Sequence, residues 1–137
     1  MLTLSCHSSK LKVLVVDDHE LTRLTLKLAF ASQENIQVVG LASNGKEAVE
    51  MVQSHQPNVI VLDLQMPIMD GWTASGKIKQ IAPETQIIAY SSVEDSKIRE
   101  YDGKGNWDIF CKKDIPTKEL VAIVRQLGTE VGSHSVG

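Results

Sequence analysis

Two short apolar runs constrain this chain more than any other feature of it. Val13-Leu14-Val15-Val16 ends in Asp17 and Asp18, and Val59-Ile60-Val61-Leu62 ends in Asp63. Both are continuous and rich in β-branched residues. That is the pattern of strands buried on both faces of a parallel sheet. In an open α/β sheet, ligands bind beyond the carboxyl ends of the strands, where the strand order reverses. Two strands ending in Asp at that edge bring three carboxylates together. At an effective dielectric near 20, two unit charges about 4 Å apart repel by roughly 4 kcal/mol. Such groups converge where a cation neutralises them, and a set of oxygen donors favours hard Mg²⁺ over zinc.

Strand and helix signals alternate along the whole chain. Strands are expected at 11–16, 36–41, 59–62, 85–90 and 108–111. The first helix, 20–31, is expected to turn Leu21, Leu24, Leu28 and Ala31 to the core. Asn44 and Glu47 resemble a capping box, followed by Ala48, Met51, Val52 and His55 at helical spacing. The third helix, 72–81, presents Ala74, Ile78 and Ile81 and stops before Pro83. The fourth, near 95–101, is weak, with only Ile98 and Tyr101 apolar and Gly103 and Gly105 close behind. The last begins near Pro116 with Leu120, Ile123, Val124 and Leu127 on one face, and Gly128 is expected to stop it. Five β-α units with short loops imply a flavodoxin-like, doubly wound α/β fold. It is a three-layer α/β/α sandwich around a five-stranded parallel sheet in order 2-1-3-4-5. The two strands that end in Asp then lie at the switch point. The expected division is an N-terminal tail (1–10), one domain (11–128) and a C-terminal tail or linker (129–137).

Bulk properties exclude several classes. A chain of 137 residues with 42% hydrophobic and 23% charged residues is ordinary for one globular domain. A net charge of −3 offers no basic field to nucleic acid or an anionic membrane. No apolar run approaches the roughly 20 residues of a membrane span. Residues 1–12 lack the apolar stretch of a signal peptide. Cys6 and Cys111 have no nearby partner for a zinc site or disulfide framework. A cytoplasmic location is expected.

The motifs resemble those of receiver domains of two-component response regulators over about residues 11–128. Val15-Val16-Asp17-Asp18 is similar to the acidic pair. The stretch from Leu62-Asp63-Leu64-Gln65-Met66-Pro67 to Asp70-Gly71 is similar to the phosphoacceptor strand and loop. Ile87-Ile88-Ala89-Tyr90-Ser91-Ser92 resembles the strand ending in a hydroxyl switch residue, and Phe110-Cys111-Lys112-Lys113-Asp114 resembles the strand with the switch aromatic and the lysine. Within the family, the style is nearest to receivers that precede a helix-turn-helix output domain, a likeness of fold level only.

The resemblance implies roles. Asp63 is the acceptor of a phosphoryl group from a histidine kinase or histidine phosphotransfer protein. Asp17, Asp18 and Asp63, with the Gln65 carbonyl, hold Mg²⁺. Lys113 pairs with the acceptor; Lys112 is its neighbour and rival. Ser91 is the switch hydroxyl and Phe110 the switch aromatic. Such a chain is a signalling phosphoacceptor, not an enzyme acting on a separate substrate. Its output runs through the face of the fourth helix, fifth strand and last helix, toward an output protein or a second copy. No contact with nucleic acid or membrane is expected of this segment. The stretch from Arg99 to Trp107 departs from the family pattern, which puts the standard dimer in doubt.

Each residue also has a plainer role. Asp63 could begin a turn, Asp18 could cap the first helix, and Phe110 could be a core aromatic. Trp72, Tyr101 and Trp107 could be exposed anchors for a partner, and each taken singly is read as a cap on the core edge. His7, His19, His55 and His134 receive no role, although His19 falls near the site rim. Three other classes compete. Aspartyl-phosphate phosphohydrolases need a second Asp where this chain has Gln65. A pseudo-receiver, binding partners without phosphorylation, conflicts with the complete set Asp17, Asp18, Asp63, Ser91 and Lys113. A flavin-binding protein needs a phosphate loop where Asp17 and Asp18 stand. A stand-alone receiver and a receiver fragment of a longer regulator stay open.

Overall fold

The structure, a computed structural model, describes residues 10–92 and 105–136. Among these, five strands alternate with helices: β1 (Leu11–Val16), α1 (Glu20–Ala31), β2 (Ile36–Ala42), α2 (Gly45–His55), β3 (Val59–Leu62), α3 (Gly71–Ile81), β4 (Gln86–Ser91), β5 (Ile109–Lys112) and α4 (Thr117–Val136). All strand pairs are parallel and the order is β2-β1-β3-β4-β5, as expected. β4 and β5 each lie one residue later than expected. The expected helix at residues 95–101, with Tyr101, lies outside the described residues, as do Cys6 and His7.

Alternation along the central strands builds two cores. Val13, Val15, Val59 and Val61 face one side and pack with Leu26 and Phe30 of α1 and Leu120 and Val124 of α4. Leu14, Val16, Ile60 and Leu62 face the other and meet Ala48 and Val52 of α2 and Ala74 and Ile78 of α3. This is the three-layer sandwich. No helix among the described residues is long and apolar enough to cross a membrane.

Three expectations about the helices are corrected. α1 buries Leu26 and Phe30, whereas Leu21, Leu24 and Leu28 are 77%, 45% and 69% exposed, and Ala31 is exposed too. The helix carries two apolar stripes, and the one with Phe30, the bulkiest of the fully buried side chains, packs in the core. With that stripe inward, Arg23 Nη1 donates to the Asp17 carbonyl at 2.6 Å. Gly128 does not stop the last helix, which runs on to Val136. A Cβ at Gly128 would lie 2.2 Å from Leu11 Cδ1, so the helix passes close to β1 there and a larger residue would have to displace the Leu11 side chain. Ile81, expected in the core, is 44% exposed at the end of α3.

Candidate functional site: an acidic pocket at the switch point

β1 and β3 are neighbours, and their carboxyl ends deliver the acidic residues. Asp17 is fully buried and Asp63 is 3% exposed. Asp18 lies at the surface beside them. The Asp17 carboxylate is fixed by its own turn, because the His19 backbone N–H donates to Oδ1 at 2.9 Å. Asp63 Oδ1 accepts from the Gln65 N–H at 3.3 Å, which brings the Gln65 backbone to the pocket.

Lys113, just past β5, enters from the other side. Its Nζ lies 2.8 Å from Asp17 Oδ2 and 3.4 Å from Asp63 Oδ2. Strand register explains why this lysine arrives and not its neighbour. Cys111 is buried on the α1–α4 side and Lys112 is exposed, while Lys113 N–H donates to the Ser91 carbonyl at 3.0 Å and so ties β5 to the end of β4. Ser91 is itself fully buried.

The electrostatics follow from crowding. The Asp63 carboxyl is pushed up to about 6, first by burial and then by the charge of Asp17; Lys113 and the Gln65 N–H oppose the shift. Burial works to lower the Lys113 ammonium, but its bond with Asp17 and the charges of Asp63 and Asp17 reverse this, so the net shift is upward. One cation thus faces three carboxylates. The buried Oδ2 atoms of Asp17 and Asp63 share the Lys113 ammonium as an ion-pair partner and have no further hydrogen-bond donor among the described residues. Ligating atoms of Asp17, Asp18, His19 and Asp63 lie within 4.8 Å of one another. Under-bonded, anionic oxygens gathered this way fit a hard divalent cation. Sequence reading gives His19 no role, because nothing in the sequence shows which way its ring turns.

The loop after Asp63 is tightly held. Met69 N–H donates to the Pro67 carbonyl at 2.7 Å across Ile68, whose φ is 71°. This is a γ-turn of positive φ, a strained form that costs a β-branched residue about 1–3 kcal/mol. Two bonds pin it: Gly45 N–H to Met69 O at 2.9 Å and Gly71 N–H to Leu64 O at 2.9 Å. A Cβ at Gly71 would sit 2.2 Å from the Asp63 carbonyl, so α3 begins where only glycine fits.

A small aromatic group flanks the pocket. Phe110 and Trp107 are half-buried against Leu64, Trp72 and Ala89. The Trp107 ring lies 6.2 Å from that of Trp72 and 6.4 Å from that of Phe110. Asn106 N–H donates to Ser75 Oγ at 2.9 Å, which fixes this segment on α3.

A doubly wound parallel sheet with an acidic pocket and a lysine at its switch point defines a class of phosphoryl-handling α/β domains. Residues 13–125 match the response regulator receiver domain family, and the chain belongs to it. It is a receiver domain of two-component signalling. It is 33% identical to the response regulator protein VraR of Staphylococcus aureus, over 85% of this chain and 56% of that protein. It is 45% identical to the protein-glutamate methylesterase/protein-glutamine glutaminase 2 of Photobacterium profundum, over 60% of this chain and 21% of that protein. The signal receiver domain of the putative response regulator NarL from Mycobacterium tuberculosis superposes with a TM-score of 0.80 at 30% identity, over 88% of this chain and 98% of that one. The chain spans only about a fifth to just over half of these curated relatives' lengths.

Proposed function

We propose that Asp63 accepts a phosphoryl group from a phosphohistidine on a sensor histidine kinase or histidine phosphotransfer protein. The observation that carries this is the convergence of Lys113 with two buried carboxylates, one of them at the end of the central strand β3. A carboxylate oxygen of Asp63 attacks phosphorus, the P–N bond breaks, and the donor imidazole leaves with the electron pair. Lys113 balances the acceptor charge before transfer and pairs with the phosphoryl oxygens after it; a compact ammonium suits that changing geometry. Asp17, Asp18, Asp63 and the Gln65 carbonyl would hold Mg²⁺. When bound, the cation screens the acceptor from the donor and stabilises charge on the transferring group. Ser91 then donates its hydroxyl to a phosphoryl oxygen, and Phe110 packs inward behind it.

The chain acts in this scheme as a signalling phosphoacceptor rather than an enzyme with a separate substrate. Its place is the cytoplasm, with output through the β5 and α4 side. The exposed Leu21, Leu24 and Leu28 of α1 start three residues past Asp18, so a donor protein seated over the pocket also covers them. Beryllofluoride, a phosphoryl mimic, tests the site. Fluorine resonances of the bound mimic should appear only with a divalent cation and only when Asp63 is present. Binding that survives Asp63→Asn would remove Asp63 as the acceptor.

A further inference from the structure

Tyr90 is the residue before Ser91 at the end of β4, and its side chain lies in the core shared with α1 and α4, 8% exposed. A tyrosine there carries a cost that Leu or Val would not, because a buried hydroxyl needs a partner. Its partner is distant: the hydroxyl donates to the Lys113 carbonyl at 3.5 Å. The other end of the same lysine lies over the ring, with Nζ 5.9 Å from the centroid. One tyrosine thus runs along Lys113 from its backbone to its ammonium. Burial pushes the Tyr90 phenol up and the Lys113 charge opposes this without reversing it, so the ring stays neutral at ordinary pH.

We propose that Tyr90 is a positioning residue for phosphoryl acceptance, its ring holding the Lys113 ammonium at the pocket both before and after transfer. The inference rests on Lys113 serving the Asp63 acceptor and adds the group that aims it. Lysine ends a flexible four-carbon stem, so a poised ammonium needs more than one neighbour. Asp17 and Asp63 supply two, at 2.8 and 3.4 Å. A third carboxylate would compete with the incoming phosphoryl group for the same cation. An aromatic face attracts the ammonium through its quadrupole, accepts no proton and fixes no single direction. Lys113 can therefore turn from Asp17 to a phosphoryl oxygen while the ring stays beneath it.

The test compares the full chain with Tyr90→Phe, Tyr90→Leu and replacement of Tyr90 by trifluorophenylalanine, which keeps the shape of Phe and removes the negative face of its ring. Acetyl phosphate with Mg²⁺ supplies the phosphoryl group; Asp63 attacks phosphorus and acetate leaves with the electron pair of the broken P–O bond. Tyr90→Phe should be labelled within about twofold of the parent, and the fluorinated ring about threefold to fivefold more slowly than Phe, the weight of a cation–π contact at this distance. Tyr90→Leu should match the fluorinated ring. In NMR spectra without phosphoryl donor, the Lys113 side-chain resonances should carry a ring-current shift in the parent and in Tyr90→Phe, and lose it in Tyr90→Leu. Equal rates for Phe and its fluorinated form would overturn the role and leave Tyr90 a core aromatic. Tyr90→Phe as slow as Tyr90→Leu would overturn it too, since the hydroxyl and not the ring would then matter. If Tyr90→Leu fails to fold, the Phe pair decides alone, because its two members differ in charge distribution and hardly in shape. A parent chain that takes no label would overturn the acceptor reading and this inference together.

Discussion

Lys113 and Asp17 form the closest ion pair of the pocket, at 2.8 Å, tighter than the 3.4 Å between Lys113 and Asp63. In this state the ammonium is committed mainly to Asp17, and the acceptor oxygen is left under-bonded. The phosphoryl group therefore arrives at a carboxylate that is not fully neutralised. Lys113→Met should strand two buried carboxylates. Removing one partner of a buried pair costs about 3–5 kcal/mol, and Lys113 keeps some solvent contact, so a loss of about 2–3 kcal/mol is expected. Lys112→Met should change stability by less than about 0.5 kcal/mol. Urea unfolding and acyl-phosphate labelling of the two variants check this. The opposite ranking would place the wrong lysine in the pocket.

The raised Asp63 carboxyl predicts a pH dependence. The folded-state value is about 6, against about 3.9 for an unperturbed Asp. Between those values the folded chain holds more protons than the unfolded chain, so stability falls as pH rises through that window. Below about pH 4 the penalty is absent, and above about pH 6 it is complete. Without divalent cations, Asp63→Asn should be more stable than the parent at pH 7.5 by about 1–3 kcal/mol, and the gap should close toward pH 4. Added Mg²⁺ should stabilise the parent and narrow the gap at pH 7.5. Thermal melts across pH measure all three. A gap independent of pH would mean that Asp63 carries no such penalty.

The exposed leucines of α1 predict a split between protein and small-molecule donors. Leu24→Lys and Leu28→Lys lie on the solvent face, so stability should change by less than about 0.5 kcal/mol. Labelling by a small acyl phosphate should be unaltered. Transfer from a histidine kinase that phosphorylates the parent should slow by tenfold or more. Equal rates from the kinase would release this stripe from the donor interface.

The aromatic group predicts a spectroscopic report of switching. A receiver responds by population shift, with the phosphoryl group favouring the state in which Ser91 bonds it and Phe110 packs inward. Trp107 touches Phe110, so beryllofluoride should change Trp fluorescence and move the amide shifts of Trp107 and Phe110. Trp107→Phe should abolish most of the fluorescence change. Shifts confined to the pocket would leave an acceptor without a switch.

What the sequence discloses, and what it hides, follows from the kind of signal involved. The central strands are legible because a parallel strand buried on both faces writes itself as one apolar run. Their closing carboxylates are legible for the same reason. The capping pair is legible at its first half: Asn44 accepts from the Glu47 N–H at 2.9 Å. Its second half is shifted by one residue, since Glu47 accepts from Ser43 and not from Asn44. The core face of α1 is hidden because periodicity alone cannot choose between two apolar stripes. The choice is made by the fit of Leu26 and Phe30 against the sheet and the last helix, which no pattern shows. Gly128 mimics a stop because glycine has two uses, and close approach to Leu11 is a tertiary fact. The turn of the His19 ring is likewise a matter of rotamer.

Intact mass after incubation with a small acyl phosphate tests the acceptor most directly. With Mg²⁺ the parent should gain one phosphoryl group, and Asp63→Asn should gain none. Chelation with EDTA should suppress the adduct in the parent. An adduct that persists in Asp63→Asn, or one that forms equally well in EDTA, would contradict both the acceptor and its cation.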